Sequence, residues 1–367
     1  MSDLRIVAVE PVVVEVPLRR PARGVHGVTV VQRSLLVRVG AGEGVEGWGD
    51  VDPTPGYSRL SVDDLHEAVT KLAPVLVGLD PFDIRRALTV MDARVEGRLE
   101  AKAAVEMALW DLEARALGVP VHSLFGGCIK ERITLNAWIG TVPPAQAATE
   151  AREWGARGFA SAKIKLEGAD PEGLARVAAV REAVGDTLAL RVDFNESLPL
   201  AGAVEFIRRL EPFGLTLVEQ PVPREQIAAL AEIRRHIGIP LMADESVTGP
   251  ASLVEIIRRE AADIVKVKVM KQGGLVRTLA MVETAAAAGL GVVVGHGFGL
   301  TLSTLAEATV AALSPAVLDG CEAVGPLKMA GDVVTAPAVL DHGVLTLPAT
   351  PGFGVDIDRE ALARYRR

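Results

Sequence analysis

The first 40 residues alternate between apolar and polar positions, a pattern that predicts β-strands with one buried face. Apolar residues recur at every second position in VAVEPVVVEVPL and again in RSLLVRV. Residues 19–28, between these segments, are rich in Arg, Gly and Pro and predict a loop. A hairpin-like meander is then completed by GEGVEGWGD.

The spacing of apolar residues becomes helical from Val62 onward. A helix is predicted for DDLHEAVTKLAPVL, with a start signal at Ser61 and a proline near its end. A longer helix is predicted for residues 99–117, because Gly118 and Pro120 follow it as a typical stop signal. Residues 1–125 therefore predict an α+β domain in which a small antiparallel sheet precedes helices.

After residue 126 short apolar strands alternate with Ala-rich amphipathic helices. Eight strand candidates occur in this order: ITLNAWI, SAKIKL, LALRVDF, LTLVEQP, IPLMADE, DIVKVKV, LGVVVGH and AVLDGCE. Such alternation favours a parallel sheet, and eight units favour a closed barrel. The prediction for residues 126–325 is an α/β fold, a modified (β/α)7β TIM-like barrel. The Pro/Gly-rich tail, residues 326–367, is expected to return to the N-terminal domain and complete it.

Composition narrows the class of partner and the compartment. The net charge of -8 argues against a nucleic-acid partner, which requires a basic face. The N-terminus has no apolar signal-peptide core, and the longest apolar stretch, residues 285–295, is short and interrupted by glycines. The two cysteines, Cys128 and Cys321, are too few for a disulfide framework. We expect a cytoplasmic protein without a membrane partner.

Acidic residues end three successive predicted barrel strands. Steps of 26, 25 and 24 residues separate Asp193, Glu219, Asp244 and Lys268. Because one strand–helix unit takes roughly 30 residues, these side chains are expected at one height at the barrel mouth. Three adjacent carboxylates repel one another unless a cation lies between them, and hard oxygen ligands suit Mg²⁺. The sequence therefore predicts a magnesium site that would bind a substrate carboxylate.

Two pairs of lysines are expected to point into the barrel. Lys163 and Lys165 have the same parity on the second strand, and Lys266 and Lys268 repeat that spacing on the sixth. The second and sixth strands lie on opposite sides of an eight-stranded barrel. Lys165 and Lys268, nearer the mouth, would then flank a substrate as a pair of acid–base catalysts, while Lys163 and Lys266 would tune them.

Each signal also has a structural interpretation. A carboxylate at the end of a strand is often a helix cap, as Asp244 in ADES would be. Three carboxylates at regular intervals beside inward lysines favour function, since a buried lysine has no structural purpose without a partner. His296, at the end of the seventh strand, would contact substrate or make a structural hydrogen bond. The candidate substrate-binding residues are Glu322, His296, His26, Asn195 and Lys266.

Six motifs in this order resemble the enolase superfamily, in particular the muconate lactonizing enzyme subgroup of the mandelate racemase/muconate lactonizing enzyme family. The motifs are AKIKL, VDFN, VEQP, ADES, DIVKVKVMKQGG and CEAVGPL, and the resemblance spans essentially the whole chain. It implies that Asp193, Glu219 and Asp244 bind Mg²⁺, with Mn²⁺ as the alternative ion, and that Lys165 and Lys268 are the acid–base pair.

The resemblance carries further implications. Lys163 would support Lys165, and Glu322 would lie near the substrate carboxylate. Selectivity would come from an N-terminal capping domain through residues 20–28 and 50–58, and the protein would form a homodimer or a homo-octamer. Two departures stand out: GWGD has Asp50 where relatives usually have Glu, and EAVGP lacks the Asp-x-Asp typical of dipeptide epimerases.

Family members turn one enolate into several products, so the reaction stays open among cycloisomerisation, racemisation, dehydration and succinylbenzoate formation. The first prediction is a muconate cycloisomerase-like isomerase acting on a small-molecule carboxylate. The alternatives are a racemase or epimerase of an amino acid derivative and a dehydratase of a hydroxy acid. Outside this chemistry, the chain would be a non-catalytic carboxylate-binding barrel, or a barrel enzyme with a phosphate site at strands seven and eight.

Overall fold

The computed structural model describes residues 4–24, 27–54 and 58–367. The N-terminal strands form an antiparallel sheet in the order β1 (Ile6–Gly24), β2 (Gly27–Ala41), β3 (Glu46–Val51). The predicted meander is confirmed, but the loop predicted at residues 19–28 is wrong for the described residues of that segment, 19–24 and 27–28, which lie in strands. The two strands continue as a paired ribbon, in which Ala22 pairs with Thr29 and Gly24 with Gly27.

The Arg/Gly/Pro-rich composition predicted a loop, but backbone groups pair in a ribbon whatever the polarity of their side chains. A register shift between Pro17 and Ala22 spans the segment that contains Pro21, a residue that cannot donate to the ladder. His26, predicted to contact substrate, lies outside the described residues, as do residues 55–57.

Two helices pack on this sheet, α1 (Val62–Leu76) and α3 (Leu99–Leu117), and α2 (Ile84–Arg94) packs against both of them. Ser61 and Asp64 cap α1 reciprocally, and the helix continues through Pro74 to its end. Helix α3 ends as predicted, at Gly118 with φ 69°. Helix α2 was not predicted. Glycines on β3 let α3 approach closely, because an added Cβ at Gly49 would lie 2.2 Å from the backbone oxygen of Ala104.

Seven parallel strands follow in chain order around the barrel. They are β5 (Ala137–Ile139), β6 (Ser161–Lys165), β7 (Ala189–Asp193), β8 (Leu217–Glu219), β9 (Leu241–Ala243), β10 (Ile264–Val267) and β11 (Gly291–Val294), and a short strand β4 (Arg132–Thr134) precedes them. The connecting helices are α4 (Pro144–Ala156), α5 (Pro171–Val184), α6 (Ala203–Arg208), α7 (Ile227–His236), α8 (Pro250–Arg258), α9 (Val269–Gln272), α10 (Leu275–Ala287) and α11 (Thr301–Leu313).

Residues 317–322 close the ring, but they do not form the regular eighth strand that was predicted. Glu322 donates its N–H to the backbone oxygen of Val294 at 2.9 Å on one side. On the other side, Asn136 donates to the backbone oxygen of Cys321 at 2.8 Å. Because the segment bonds to both neighbours, the modified (β/α)7β barrel is confirmed even though the eighth segment is irregular.

The inside of the barrel is apolar below its charged mouth. Leu217, Met242, Ile264 and Val293 form a small buried cluster separate from the main core. Leu217 and Met242 each lie two residues before an acidic residue of the same parity, so both point inward. This apolar layer supports the charged layer above it.

The tail forms α12 (Gly325–Lys328), β12 (Leu340–Asp341), β13 (Val344–Thr346) and α13 (Arg359–Tyr365). Its backbone returns to β1, where Ala330 donates to the oxygen of Pro17 at 2.8 Å and Arg367 to that of Val13 at 3.0 Å. Strand β13 pairs with β4. The tail therefore contacts both parts of the chain, and the division at residues 125 and 325 stays a prediction. Within the described residues, no helix combines the length and hydropathy needed to cross a bilayer.

Candidate active site

Three buried carboxylates stand at the ends of neighbouring barrel strands. Asp193 ends β7, Glu219 ends β8, and Asp244 follows the last residue of β9. The strand register aligns Lys165 with Asp193 and Asp193 with Glu219, which sets these side chains at one level. All three carboxylate residues are at most 2% exposed. The regular spacing along the sequence thus corresponds to a shared layer in the barrel.

Two buried lysines bridge these carboxylates. The Nζ of Lys163 lies 3.0 Å from Asp193 Oδ2 and 2.9 Å from Glu219 Oε2. The Nζ of Lys266 lies 3.0 Å from Glu219 Oε1 and 3.8 Å from Asp244 Oδ2. Each ammonium contacts two neighbouring carboxylates, so each carboxylate pair lies within reach of one common cation.

The ionisable groups of this layer differ in the direction in which their pKa values are shifted. Burial opposes ionisation, yet the carboxylates hold the pKa of Lys163 well above its ordinary value. Burial, and then the charge of Asp193, raises the pKa of Glu219. Asp193 itself has a lowered pKa, because the charges of Lys163 and Lys165 outweigh its burial. A further cation near Glu219 would therefore stabilise its charged form.

Glu322, in the closing segment, completes the cluster from the other side. Its Oε2 accepts from the ammonium groups of Lys163 and Lys266. Arg191 lies 3.7 Å from its Oε1 and also donates to the backbone oxygens of Asp319 and Gly320, at 2.6 and 2.9 Å. These contacts fix the irregular segment to the barrel interior.

The two lysines nearest the mouth lie on opposite sides of the ring. Lys165 Nζ is 2.6 Å from both Asp193 Oδ2 and Asn195 Oδ1, and its side chain is 26% exposed. Lys268 Nζ is 2.6 Å from both oxygens of Asp244, and its side chain is 2% exposed. A ligand thus has direct access to one of the two ammonium groups, while the other is enclosed.

Asn195 occupies a strained turn directly after β7. Asn195 and Glu196 both have positive φ, 42° and 69°. The turn directs the Asn195 amide between two site residues, since its Oδ1 accepts from Lys165 and its Nδ2 donates to Glu245 Oε1 at 3.0 Å. Burial, and then the charge of Asp244, raises the pKa of Glu245 to about 7. Strain of this kind persists only where surrounding contacts hold it.

Sequence reasoning missed two lysines at the site. Lys271 lies at the end of the motif DIVKVKVMKQGG and was given no role, yet its Nζ is 2.8 Å from Asp244 Oδ1. Its spacing could have identified it, because Lys271 follows Lys268 by about one helical turn and so lies on the same side of the chain. Lys328, in the four-residue helix α12, lies over the rings of Trp138 and Phe298. No spacing rule relates it to the barrel strands.

His296 forms an ion pair with Asp52, which directly follows β3. Its Nε2 lies 2.8 Å from Asp52 Oδ1, and the two residues are 1% and 0% exposed. Asp50 likewise reaches the barrel, accepting hydrogen bonds from the Leu300 N–H at 3.3 Å and the Ser303 hydroxyl at 3.1 Å. These contacts give both residues a structural role at the junction of sheet and barrel. A contact between His296 and substrate stays a prediction.

The donor set fits a hard divalent cation by its chemistry. Asp193, Glu219 and Asp244 offer only carboxylate oxygens, which Mg²⁺ prefers over nitrogen or sulfur. Among residues 4–24, 27–54 and 58–367, no group of three or more His, Cys, Asp or Glu side chains has an arrangement that could hold a metal ion. Lysine ammonium groups lie between these carboxylates.

Family models match both parts of the chain. The model for the mandelate racemase/muconate lactonizing enzyme N-terminal domain matches residues 7–126. The model described as enolase C-terminal domain-like matches residues 146–361.

Individual proteins align along nearly the whole chain. Muconate cycloisomerase 1 of Rhodococcus opacus is 34% identical over 100% of both chains. The N-succinyl-L-Arg/Lys racemase of Bacillus cereus is 31% identical over 98% of this chain and 97% of its own. Among solved structures, muconate lactonizing enzyme from Pseudomonas fluorescens, complexed with muconolactone, superposes with a TM-score of 0.95 at 30% identity, covering 99% of each chain.

Proposed function

The chain belongs to the mandelate racemase/muconate lactonizing enzyme family of the enolase superfamily, and on that premise we propose that it moves the proton α to a substrate carboxylate through an enolate. The observation that carries the proposal is the layer of three buried carboxylates with an ammonium group on either side. The relatives with which it aligns are isomerases, which supports an isomerase here. A muconate cycloisomerase-like reaction is the first candidate.

Asp193, Glu219 and Asp244 would hold Mg²⁺, or Mn²⁺ as the alternative ion. Members of the superfamily generally use Mg²⁺, and the bridging contacts of Lys163 and Lys266 support a common cation position between the carboxylates. The bound cation would supply positive charge against the negative charge that builds up on the substrate carboxylate as the α-proton leaves.

Lys165 and Lys268 would transfer the proton. One lysine, as the neutral amine, takes the α-proton onto its Nζ, or as the ammonium gives a proton to the enolate carbon. Asn195 accepts a hydrogen bond from Lys165 and would aim that ammonium. The salt bridges of Lys163 and Lys266 would keep the layer charged and ordered, and Glu322 would border the substrate.

Racemisation of an amino acid derivative is the second candidate. Two observations favour it: lysines on opposite sides of the ring can serve both faces of one α-carbon, and a relative of 31% identity is an N-succinyl-L-Arg/Lys racemase. The two candidates differ in product. A cycloisomerase closes or opens a lactone, whereas a racemase inverts one stereocentre.

Proton exchange in D₂O with Mg²⁺, read by mass spectrometry, tests the proposal. The panel contains cis,cis-muconate, muconolactone, and N-succinyl and N-acetyl amino acids, with hydroxy acids added for dehydration. We expect deuterium at the α-carbon of one class, and loss of exchange on adding EDTA. Absence of exchange across the panel together with absence of Mg²⁺ binding would contradict the proposal and favour a barrel that only binds carboxylates.

We further propose that the protein is a cytoplasmic homo-oligomer, a dimer or an octamer. The two cysteines, too few for a disulfide framework, support the compartment, and the family membership supports the oligomer. Light scattering coupled to size-exclusion chromatography measures the oligomer directly.

A further inference from the structure

Helix α12 brings one more ammonium group to the barrel mouth. The helix presses against the loop after β11, because an added Cβ at Gly325 would lie 2.1 Å from the backbone oxygen of Gly299. At its end, the Nζ of Lys328 lies 4.4 Å from the ring centroid of Phe298 and 4.5 Å from that of Trp138. Trp138 is aligned with Lys163 on the neighbouring strand. The ammonium of Lys328 is therefore held beside the candidate site by two aromatic faces.

Lys328 differs from the other lysines of the site in its partners. Lys163, Lys165, Lys266 and Lys268 each form an ion pair with a carboxylate. In the part of the chain that the structure describes, no Asp or Glu lies within ion-pair distance of Lys328. Partial burial, and then the charges of Lys165 and Lys163, lowers its pKa. An anion beside this ammonium would stabilise its charged form.

Glu322, the nearby carboxylate, is not the anion that pairs with Lys328. Glu322 directs its Oε2 to Lys163 and Lys266 and faces Arg191 with its Oε1. Lys328 itself is only half-buried, and so is Lys165, so both side chains keep access for a ligand. Lys165 is already paired with Asp193, whereas Lys328 has no carboxylate partner among the described residues.

We propose that Lys328 binds a second carboxylate of the substrate, distant from the one whose α-carbon reacts, and so makes the enzyme selective for dianionic acids. This inference rests on the proposed function and names its substrate class. The rings of Trp138 and Phe298 orient the ammonium and exclude water from its flanks. A hydrogen bond from a charged group of this kind changes affinity by about ten- to a hundredfold.

A purely structural role of Lys328 predicts a different effect of its removal on ligand affinity. If Lys328 only braced the loop through its aromatic contacts, its removal would weaken every ligand equally and lower the melting temperature. Lys328→Met keeps an apolar stem against the rings but removes the charge, whereas Lys328→Arg keeps the charge and the stacking. Lys71→Met, which removes an exposed lysine paired with Glu67, is the matched control.

Calorimetric titration with excess Mg²⁺ measures the selectivity without requiring turnover. The probes form two pairs in which only one member carries a distal carboxylate: cis,cis-muconate with (2Z,4Z)-hexa-2,4-dienoate, and the N-succinyl with the N-acetyl form of one amino acid. We expect the unmodified enzyme and Lys71→Met to prefer the dianion of at least one pair by about tenfold or more. Lys328→Met should reduce that preference below about threefold with unchanged affinity for the hexadienoate or the N-acetyl form, and Lys328→Arg should retain most of the preference.

Three results would overturn the inference: an unchanged preference in Lys328→Met, an equal loss for both members of a pair, or no dianion binding by the unmodified enzyme. Failure of the proposed function is separable, because it is read from proton exchange. Dianion binding that depends on Lys328, without exchange and without Mg²⁺ binding, would support this inference and contradict the catalytic proposal.

Discussion

The buried ion pair of His296 and Asp52 should make stability depend on pH in a defined window. The pair joins the loop after β11 to the segment after β3, with 2.8 Å between Nε2 and Oδ1. Burial opposes the charged imidazole, but Asp52 outweighs it and raises the pKa of His296 from 6.5 to about 9. Glu307, on α11, faces the same imidazole and acts in the same direction.

The magnitude follows from the shift. One pKa unit corresponds to about 1.4 kcal/mol, so protonation of His296 in the folded state contributes about 3 kcal/mol. Because the folded pKa lies above the unfolded one, this stabilisation is complete below pH 6.5 and is lost as the pH rises through about 9. Asp52→Asn removes the charge with little change in shape, so it should lose about 3 kcal/mol at pH 6 and under about 1 kcal/mol above pH 9.

Urea unfolding followed by tryptophan fluorescence measures both values, with Asp63→Asn as the control. Asp63 pairs with Arg33 at the surface, where its side chain is 71% exposed, so the control should change stability by less than about 0.5 kcal/mol at either pH. If Asp52→Asn loses the same free energy at both pH values, the buried imidazolium does not exist and the reasoning fails.

Three further predictions concern packing, helix support and metal binding. Gly49→Ala should lower the free energy of unfolding by about 2 kcal/mol or more, since its Cβ would lie 2.2 Å from the backbone oxygen of Ala104. Gly42→Ala is the control, because an added Cβ there has nothing within 4 Å. Equal melting temperatures of the two variants would contradict this prediction. Glu106→Ala should cost about 1–3 kcal/mol in urea unfolding, because Glu106 accepts two backbone N–H groups at the start of α10, and the Gln variant should lose less. Excess Mg²⁺ should raise the melting temperature of the unmodified protein but not of Asp244→Asn, and an equal rise in both would exclude Asp244 as a ligand.

Local patterns predicted most of the elements that position the site. Apolar alternation predicted β1 to β3, and the stop signal at Gly118 predicted the end of α3, because both depend on neighbouring residues only. The constant steps between strand ends predicted that Asp193, Glu219 and Asp244 share one layer, since a repeated strand–helix unit returns the chain to the same height.

The remaining features depend on contacts that no local pattern encodes. The ribbon of residues 22–24 and 27–29 forms by backbone pairing, which the Arg/Gly/Pro composition of this segment does not predict. The closing segment at residues 317–322 is positioned by hydrogen bonds to the chain on either side of it, and it has no regular strand pattern that the sequence could show. Lys328 and the pair of His296 with Asp52 join elements far apart in sequence, so only the folded chain brings them together.

Lys165 and Lys268 are proposed to transfer the α-proton beside a carboxylate-bound cation. The most direct measurement is the rate of α-deuterium incorporation with Mg²⁺ for the unmodified enzyme, Lys165→Met, Lys268→Met and the surface control Lys71→Met, on whichever panel acid exchanges. We predict that each active-site variant loses exchange by about a hundredfold or more while the control keeps the full rate. Exchange at the full rate in either Lys165→Met or Lys268→Met would contradict the account.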